Sequence, residues 1–313
     1  MNAVLIIDKP AGLTSHDVVN RVRRILHERS VGHLGTLDPS ATGVLPLVVG
    51  SLTRLAQFYT ASEKAYEGVI RFGFATDTYD ADGEAVGIPQ TVAPTLDEVR
   101  QIAIAFRGFV EQMPPAFSAK KIQGVPAYKL ARKQKEVVLK PVRVEIKEFE
   151  ILGVEGDRAS FQARVASGTY LRSVAHDIGQ QMGCGAHLQS LRRTAVAEFD
   201  LTDAHTLEEL QTAANGGALD DLFVHPRKLL PRLPSVTANE EMAAHIRSGR
   251  TVNLPEVSKA LQVKVFSGQR ELIAIASRVA GTLFHPKIVL VGEPAKQPAG
   301  RSGTATVPAV RLR

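Results

Sequence analysis

Hydrophobic positions along the chain fall into short blocks whose spacing switches between two periods. Val4 to Ile7 is a continuous apolar run closed by Asp8 and Lys9, too short for a helix and long enough for a buried strand. From Ser15 the period lengthens: Val18, Val19, Val22, Ile25 and Leu26 form one helical stripe, with Arg21, Arg23 and Arg24 off it. Glycines and prolines mark Val31 to Gly43 as a loop, followed by a buried strand at Val44 to Val49 and a helical stretch at Thr53 to Ala61. Tyr66, Ile70, Phe72 and Phe74 then share one face of a strand, with Glu67 and Arg71 on the other.

Pro94 and Thr95 start a further helix, and Val142 to Ile151 and Phe161 to Val165 alternate as paired strands. Thr169 is placed to cap a helix carrying Tyr170, Leu171, Val174 and Ile178 and ended by Gly183, and Thr206 with Glu209 makes a capping box for a helix reaching Gly216. Pro226, Pro231 and Pro234 mark a boundary, beyond which a second capping box at Thr237 and Glu240 precedes short strands around Val263, Ile273, Phe284 and Val289. The pattern predicts an α+β fold with a mixed, largely antiparallel sheet in residues 1–224 and a small β-rich domain in 225–292. Residues 293–313 are rich in Pro, Gly, Ala, Ser and Thr, which predicts a disordered tail. No solenoid repeat or heptad run is present.

Composition narrows the class. A chain of 313 residues that is 44% hydrophobic can fill two cores. The lone Cys184 has no disulfide partner, no Cys/His group has zinc spacing, and no stretch is apolar over the roughly 18 residues a membrane span needs. The apolar run at the N-terminus is shorter than a signal-peptide core. These features predict a reduced, cytoplasmic setting and no membrane partner. The net charge of +6 is concentrated: from Ser118 to Lys147 nine basic residues face two acidic ones, which leaves the remainder near neutrality. Such a segment suits a polyanion whose phosphates shed counterions on binding.

Nucleotide-cofactor motifs are missing. Gly35 to Gly43 lacks the Lys-Ser/Thr pair of a P-loop, and Gly183-Cys-Gly185 does not extend to a dinucleotide fingerprint. Asp77, Asp80, Asp82 and Gly83 imitate part of a calcium loop but are out of register for it and are read as turn formers. In Gly32 to Pro46 one carboxylate, Asp38, sits among glycine and apolar neighbours. Either it caps local amides in an Asp-Pro turn, which spacing alone favours, or it is a partly buried nucleophile that needs an arginine or backbone partner.

Several blocks in order bear on that choice: Asp8-Lys-Pro-Ala-Gly12, Gly32-His-Leu-Gly-Thr-Leu-Asp-Pro39, Lys64-Ala-Tyr66, Thr76-Asp-Thr-Tyr-Asp-Ala-Asp-Gly83, Pro114-Pro-Ala-Phe-Ser-Ala-Lys120, Ser167-Gly-Thr-Tyr-Leu-Arg172 and Gly183-Cys-Gly-Ala-His-Leu-Gln-Ser-Leu-Arg-Arg193. Together they resemble the TruB family of tRNA pseudouridine-55 synthases over about residues 3 to 224, and the C-terminal part resembles that family's PUA-type RNA-binding module. The resemblance implies a pseudouridine synthase core and a stand-alone, monomeric enzyme that acts without cofactor, metal or guide RNA on the T arm of tRNA, with contacts reaching the acceptor stem. It makes Asp38 the catalytic nucleophile and Arg172 its partner, which would hold the carboxylate ionised. Tyr66 would stack on the target base and accept a proton, Tyr170 and Leu191 would line the uracil pocket, and His33 would help displace the base. Lys9 and Pro10 would support the catalytic loop. About residues 118–140 would form a basic thumb whose Lys120, Lys121, Lys129, Arg132 and Lys133 touch the RNA backbone. Two rivals remain: a guide-dependent synthase of the dyskerin type, and an RNA chaperone that binds tRNA without modifying it.

Overall fold

The computed structural model describes residues 1–117, 121–122, 125–126 and 139–290, with backbone alone at 121–122 and 125–126. One large sheet is built from β1 (Ala3–Lys9), β2 (Val31–His33), β3 (Thr42–Val49), β4 (Lys64–Phe72), β5 (Gly108–Gln112), β6 (Val142–Glu155), β7 (Arg158–Val165), β8 (Ala186–Val196), β9 (Phe199–Asp200) and β10 (Ala204–His205). Its order is β10-β1-β3-β8-β4-β7-β6-β5, with β2 beside β3 and β9 beside β8. Pairing is antiparallel except at β1–β10 and β3–β8, so the expected mixed, largely antiparallel sheet is present.

Both faces of this sheet are covered, and β1 shows why its sequence lacks alternation. Ala3, Leu5 and Ile7 belong to one apolar core, Val4 and Ile6 to another on the opposite face. Over the first face pack α1 (Ser15–Ile25), α2 (Leu96–Ala103), α3 (Leu171–Gln181) and α4 (Leu207–Gly216), through Val18, Val22, Val99, Val174, Ile178 and Leu210. Capping boxes at Thr14 with Asp17, Thr95 with Glu98 and Thr206 with Glu209 start three of these helices.

The second face receives a five-stranded sheet of β11 (Ser235–Ala238), β12 (Val252–Asn253), β13 (Gln262–Ser267), β14 (Glu271–Ala280) and β15 (Leu283–Val289), in the order β11-β13-β14-β15-β12. Phe266, Leu272, Ile275 and Ile288 from this sheet share a core with Val4, Ile6, Val44 and Val48. Polar stitches reinforce the joint: Ser51 Oγ and Asn2 Nδ2 both donate to Leu290 O, at 3.0 and 3.2 Å. The connecting segment is pinned by buried Lys264, whose Nζ donates to Arg227 O and Leu229 O at 2.9 and 2.6 Å.

Local readings differ from the structure at several points. Val31–His33 is a strand on the edge of β3, inside the stretch read as loop; three residues beside a glycine are too few for alternation to register. Thr53 to Ala61 resolves into a 3-10 segment, Gly50–Leu55, and a single α-turn, Ala56–Tyr59. Phe74 lies past the end of β4, because Gly73 at φ 102° turns the chain. The helix at Glu240–Arg247 is capped by Asn239, which accepts from Met242 N at 2.8 Å, while Thr237 stays in β11. A polar residue within the strand cannot also take the cap position.

β8 and β2 occupy the same edge of β3, β8 at Thr42 and Gly43 and β2 at Leu47 to Val49. The chain between β2 and β3 therefore rises in the fork where those two strands part. Closing the fork depends on Gly43, at φ 99°, where an added Cβ would meet Arg193 O at 2.2 Å. Gly43→Ala is expected to cost more than about 2 kcal/mol, through both backbone strain and the clash. A urea titration showing an unchanged midpoint would refute that tight approach.

Candidate active site

The loop 34–41 in the fork is held by donors from beneath. Lys9 is fully buried, and its Nζ donates to Pro10 O, Leu13 O and Pro39 O at 2.8, 2.7 and 3.0 Å. Gly12 N donates to the same Pro39 O at 2.9 Å. Buried Arg193 spreads its guanidinium over Val44 O (2.8 Å), Thr36 O (3.2 Å) and Gly35 O (3.0 Å). Ser15 Oγ donates to Leu37 O and accepts from Leu37 N at 3.1 and 2.8 Å. Carbonyls that an exposed loop would leave to water thus have fixed partners, and the side chain between them, Asp38, has a fixed direction.

Asp38 points at Arg172, in the first turn of α3. Arg172 is 5% exposed, and its Nε lies 2.9 Å from Asp38 Oδ2. Its Nη1 lies 3.3 Å from Asp80 Oδ2 and donates to Thr78 O at 3.1 Å, while Nη2 donates to Phe117 O at 2.9 Å. One guanidinium is therefore shared by two carboxylates and two carbonyls, a rigid planar arrangement that lysine could not reproduce. Asp80 is fixed in turn: its Oδ1 accepts from Thr78 Oγ1 and Asp82 N at 2.5 and 3.1 Å. The helix start differs from expectation. Tyr170 occupies the cap position and Thr169 does not cap. Gln112 serves there, accepting from Tyr170 N at 2.8 Å and donating to Tyr170 O at 2.9 Å.

A cavity of about 470 Å³ opens above this network. His33, Asp38, Tyr66, Tyr170, Arg172 and Leu191, drawn from four separate segments of sequence, all line it. Lys64, on the same strand as Tyr66, lines it too, with Nζ donating to Ser62 O at 2.8 Å. Asp38 keeps 39% of its side-chain surface, directed into the cavity. Burial raises its carboxyl above the ordinary carboxylate value; Arg172 and Lys9 oppose that rise, and Asp80 and Asp82 add to it. The ion pair with Arg172 forms as the resemblance implies, yet burial by the loop outweighs it.

Neighbouring groups follow the same physics. Burial pushes Lys9 and Lys64 each down to about 8, with Arg193 contributing to both. It also lowers His33, whose Nδ1 accepts from Gly35 N at 3.3 Å, so this imidazole is a neutral rim group. Tyr66 is raised by burial, and the Arg193 guanidinium against its hydroxyl pulls the other way.

Sequence reasoning brought the six cavity residues to one place but missed Asp80, Arg193 and Lys64. Asp80 was read as a turn former; it forms the turn with Oδ1 and meets Arg172 with Oδ2. The side chains of Lys120, Lys121, Lys129, Arg132 and Lys133, and the whole of 293–313, lie outside the described residues. Charges counted in the basic segment are engaged within the fold, among them Arg143, which lies 4.5 Å over the Phe109 ring, and Lys147, which pairs with Glu63. Among the described residues no group of His, Cys, Asp and Glu is placed to hold a metal ion, and no helix is long and apolar enough to cross a membrane.

The mixed sheet with a second, PUA-like sheet on its face is a fold of the pseudouridine synthase type. A solved structure similar to it is a chain of a Cbf5-Nop10-Gar1 complex, with a TM-score of 0.68 at 25% identity over 93% of this chain and 85% of that one. The N-terminal domain of the TruB family pseudouridylate synthases matches residues 23–171, and the C-terminal domain of tRNA pseudouridylate synthase B matches 172–225. Among the relatives, the tRNA pseudouridine synthase B of Solibacter usitatus is 49% identical, over 93% of this chain and 100% of that protein. The tRNA pseudouridine synthase B of Geobacillus thermodenitrificans is 39% identical, over 88% and 94%. The chain belongs to the TruB family of pseudouridylate synthases.

The shared guanidinium makes a stability prediction. Asp80→Asn keeps the shape and the turn bond but removes one of the two charges facing Arg172, and is expected to cost about 1 to 3 kcal/mol. A urea midpoint equal to that of the parent would show that the Asp80 charge does not engage Arg172.

Proposed function

We propose that this protein isomerises a uridine of the tRNA T loop, at position 55, to pseudouridine, with Asp38 as the nucleophile. The observation that carries the reading is the Asp38 carboxylate in the cavity wall, its Oδ2 2.9 Å from the Nε of buried Arg172. To become pseudouridine, uracil must leave its ribose nitrogen, turn and rejoin through carbon. Electrons and atoms balance within the nucleotide, so the reaction calls for neither a redox cofactor nor an energy source. It does call for a dry pocket and a fixed carboxylate, whichever atom that carboxylate first attacks.

Each cavity residue then has a task. Arg172 and Asp80 fix Asp38; Arg172 presents one edge to each carboxylate and its remaining donors to backbone. Tyr66 stacks on the flipped base and exchanges a proton with it, Tyr170 and Leu191 close the sides of the uracil, and His33 at the rim takes the space the base vacates. Extracting a base from a folded loop costs a few kcal/mol of unstacking, offset by these contacts and by phosphate contacts from the basic segment around 118–140. The relatives' name, tRNA pseudouridine synthase B, supports tRNA as the substrate. We take the enzyme to be a cytoplasmic monomer that needs no guide RNA and reaches the acceptor stem through its PUA-like domain.

The direct test is incubation of purified protein with an unmodified tRNA transcript, without cofactor or other RNA, followed by mapping of the modified nucleotide. Pseudouridine at the T-loop position supports the proposal. Product that forms only when guide RNA is added would make the enzyme guide-dependent, and binding without product would make it a chaperone.

Asp38→Asn is expected to abolish turnover while tRNA affinity changes less than about threefold, because the amide keeps the shape and loses the nucleophile. Multiple turnover by a clean preparation would remove Asp38 from its role.

The pH dependence has a definite sign. The Asp38 carboxyl is raised by burial, so it takes up a proton at a pH where a free aspartate, near about 3.9, stays ionised. kcat/KM should therefore fall with decreasing pH along a limb lying above that value. Arg172→Met, which removes a contribution that lowers the carboxyl, should move the limb further up. A limb at the free-aspartate value in the parent, or one unmoved by Arg172→Met, would count against this account.

A further inference from the structure

Arg193 heads the fully buried side chains of the described residues by size. Arg172 is flanked by two carboxylates, whereas Arg193 forms no ion pair among the described residues. Its visible partners are the three carbonyls of Gly35, Thr36 and Val44, which satisfy donors without cancelling the charge. Burial of a lone cation carries a large desolvation penalty, and bracing a loop requires donors rather than net charge. The remaining neighbour is Tyr66. Strand register sets Arg193 directly across from it, and the guanidinium lies against its hydroxyl. Tyr66 lines the cavity and Arg193 does not, so the fixed charge reaches the space where the base would sit by way of the tyrosine.

We propose that Arg193 is a positioning residue for the isomerisation, whose charge stabilises the Tyr66 oxygen during the interval in which that oxygen has given up its proton. This rests on the reading that Tyr66 exchanges a proton with the flipped uracil. On the route through the sugar, an Asp38 carboxylate oxygen bonds to C1′ as the C1′–N1 bond breaks; the electron pair of that bond stays on the ring nitrogen, and the Tyr66 hydroxyl gives its proton to that nitrogen. When C5 bonds to C1′, the carboxylate leaves with the electron pair of its bond to C1′, and the ring carries one proton too many, on C5. The Tyr66 oxygen takes that proton, and the C5–H electron pair returns to the ring. The tyrosine ends as it began, and in between its anionic oxygen faces the guanidinium. Burial drives the tyrosine hydroxyl up and the guanidinium down, and each offsets the other, as expected of a pair whose charges are complementary once the proton has left.

The test is a double-mutant cycle under single-turnover conditions at saturating tRNA, with Arg193→Gln, Tyr66→Phe and the double variant, and Arg193→Lys as the conservative change. Arg193→Gln is expected to slow the rate tenfold or more and Arg193→Lys by less, with tRNA affinity within about threefold for both. In the Tyr66→Phe background Arg193→Gln should add less than about twofold, since the oxygen it serves is gone. Multiplying effects in the double variant would show that Arg193 acts on the loop as a whole and would overturn the proposal. A fully active Tyr66→Phe enzyme would overturn both the proton role of Tyr66 and this proposal, while leaving the Asp38 assignment to its own variant. Should Arg193→Gln not fold, the same cycle with Arg193→Lys decides: loss of its effect in the Tyr66→Phe background supports the proposal, and an undiminished effect overturns it.

Discussion

A loop holds a fixed shape in a protein interior while its carbonyl oxygens find donors, and two buried cations supply donors to three carbonyls between β2 and β3 and to three more beside them. The Lys9 ammonium gathers Pro10, Leu13 and Pro39; the Arg193 guanidinium gathers Val44, Thr36 and Gly35. Asp38 sits between these two sets of anchors, so its direction is inherited from the strands that carry the cations. The fork at the edge of β3, the approach of β8 at Gly43 and the helix bearing Arg172 all matter to the site because they fix where the anchors stand.

Such a floor has an electrostatic consequence. Four cationic side chains, Lys9, Lys64, Arg172 and Arg193, surround or underlie the cavity, against the two carboxylates Asp38 and Asp80 that meet Arg172. Desolvation weakens the lysines' hold on their protons and strengthens that of Asp38. Each of these groups is thus held closer to its uncharged form than it would be in water, in surroundings where small electrostatic changes carry weight.

Much of this was legible in the sequence because it was written in long-period patterns or in blocks. The helices at Ser15, Thr95 and Thr206 announce themselves by stripe and cap, and the six cavity residues came from motif blocks. What was not legible is of two kinds. Short elements such as Val31–His33 form because a neighbouring strand edge is free, which no local pattern records. Dual-use side chains hide behind their simpler use: Asp80 is a correct turn former that also faces Arg172, and Thr169 looks like a cap until Gln112, distant in sequence, takes the amide of Tyr170. Arg193 is harder still, since a cation bonded to backbone carbonyls forms no ion pair for a reader to notice.

β1 raises a question of counting. With apolar residues on both faces, a slip of one position along β3 would still bury hydrophobic side chains on each side, so the oily run by itself does not say where the strand must stop. Its two terminal residues say so. Asp8 is gripped through both carboxylate oxygens by Arg192, at 3.1 and 2.7 Å, and Lys9 on the opposite face reaches the carbonyls beneath the loop. A shift by one would exchange these faces, tearing the carboxylate from its arginine and leaving the ammonium without its oxygens. The same lysine that steadies the loop is, during folding, a vernier mark by which an otherwise uniform strand is slid to a single setting.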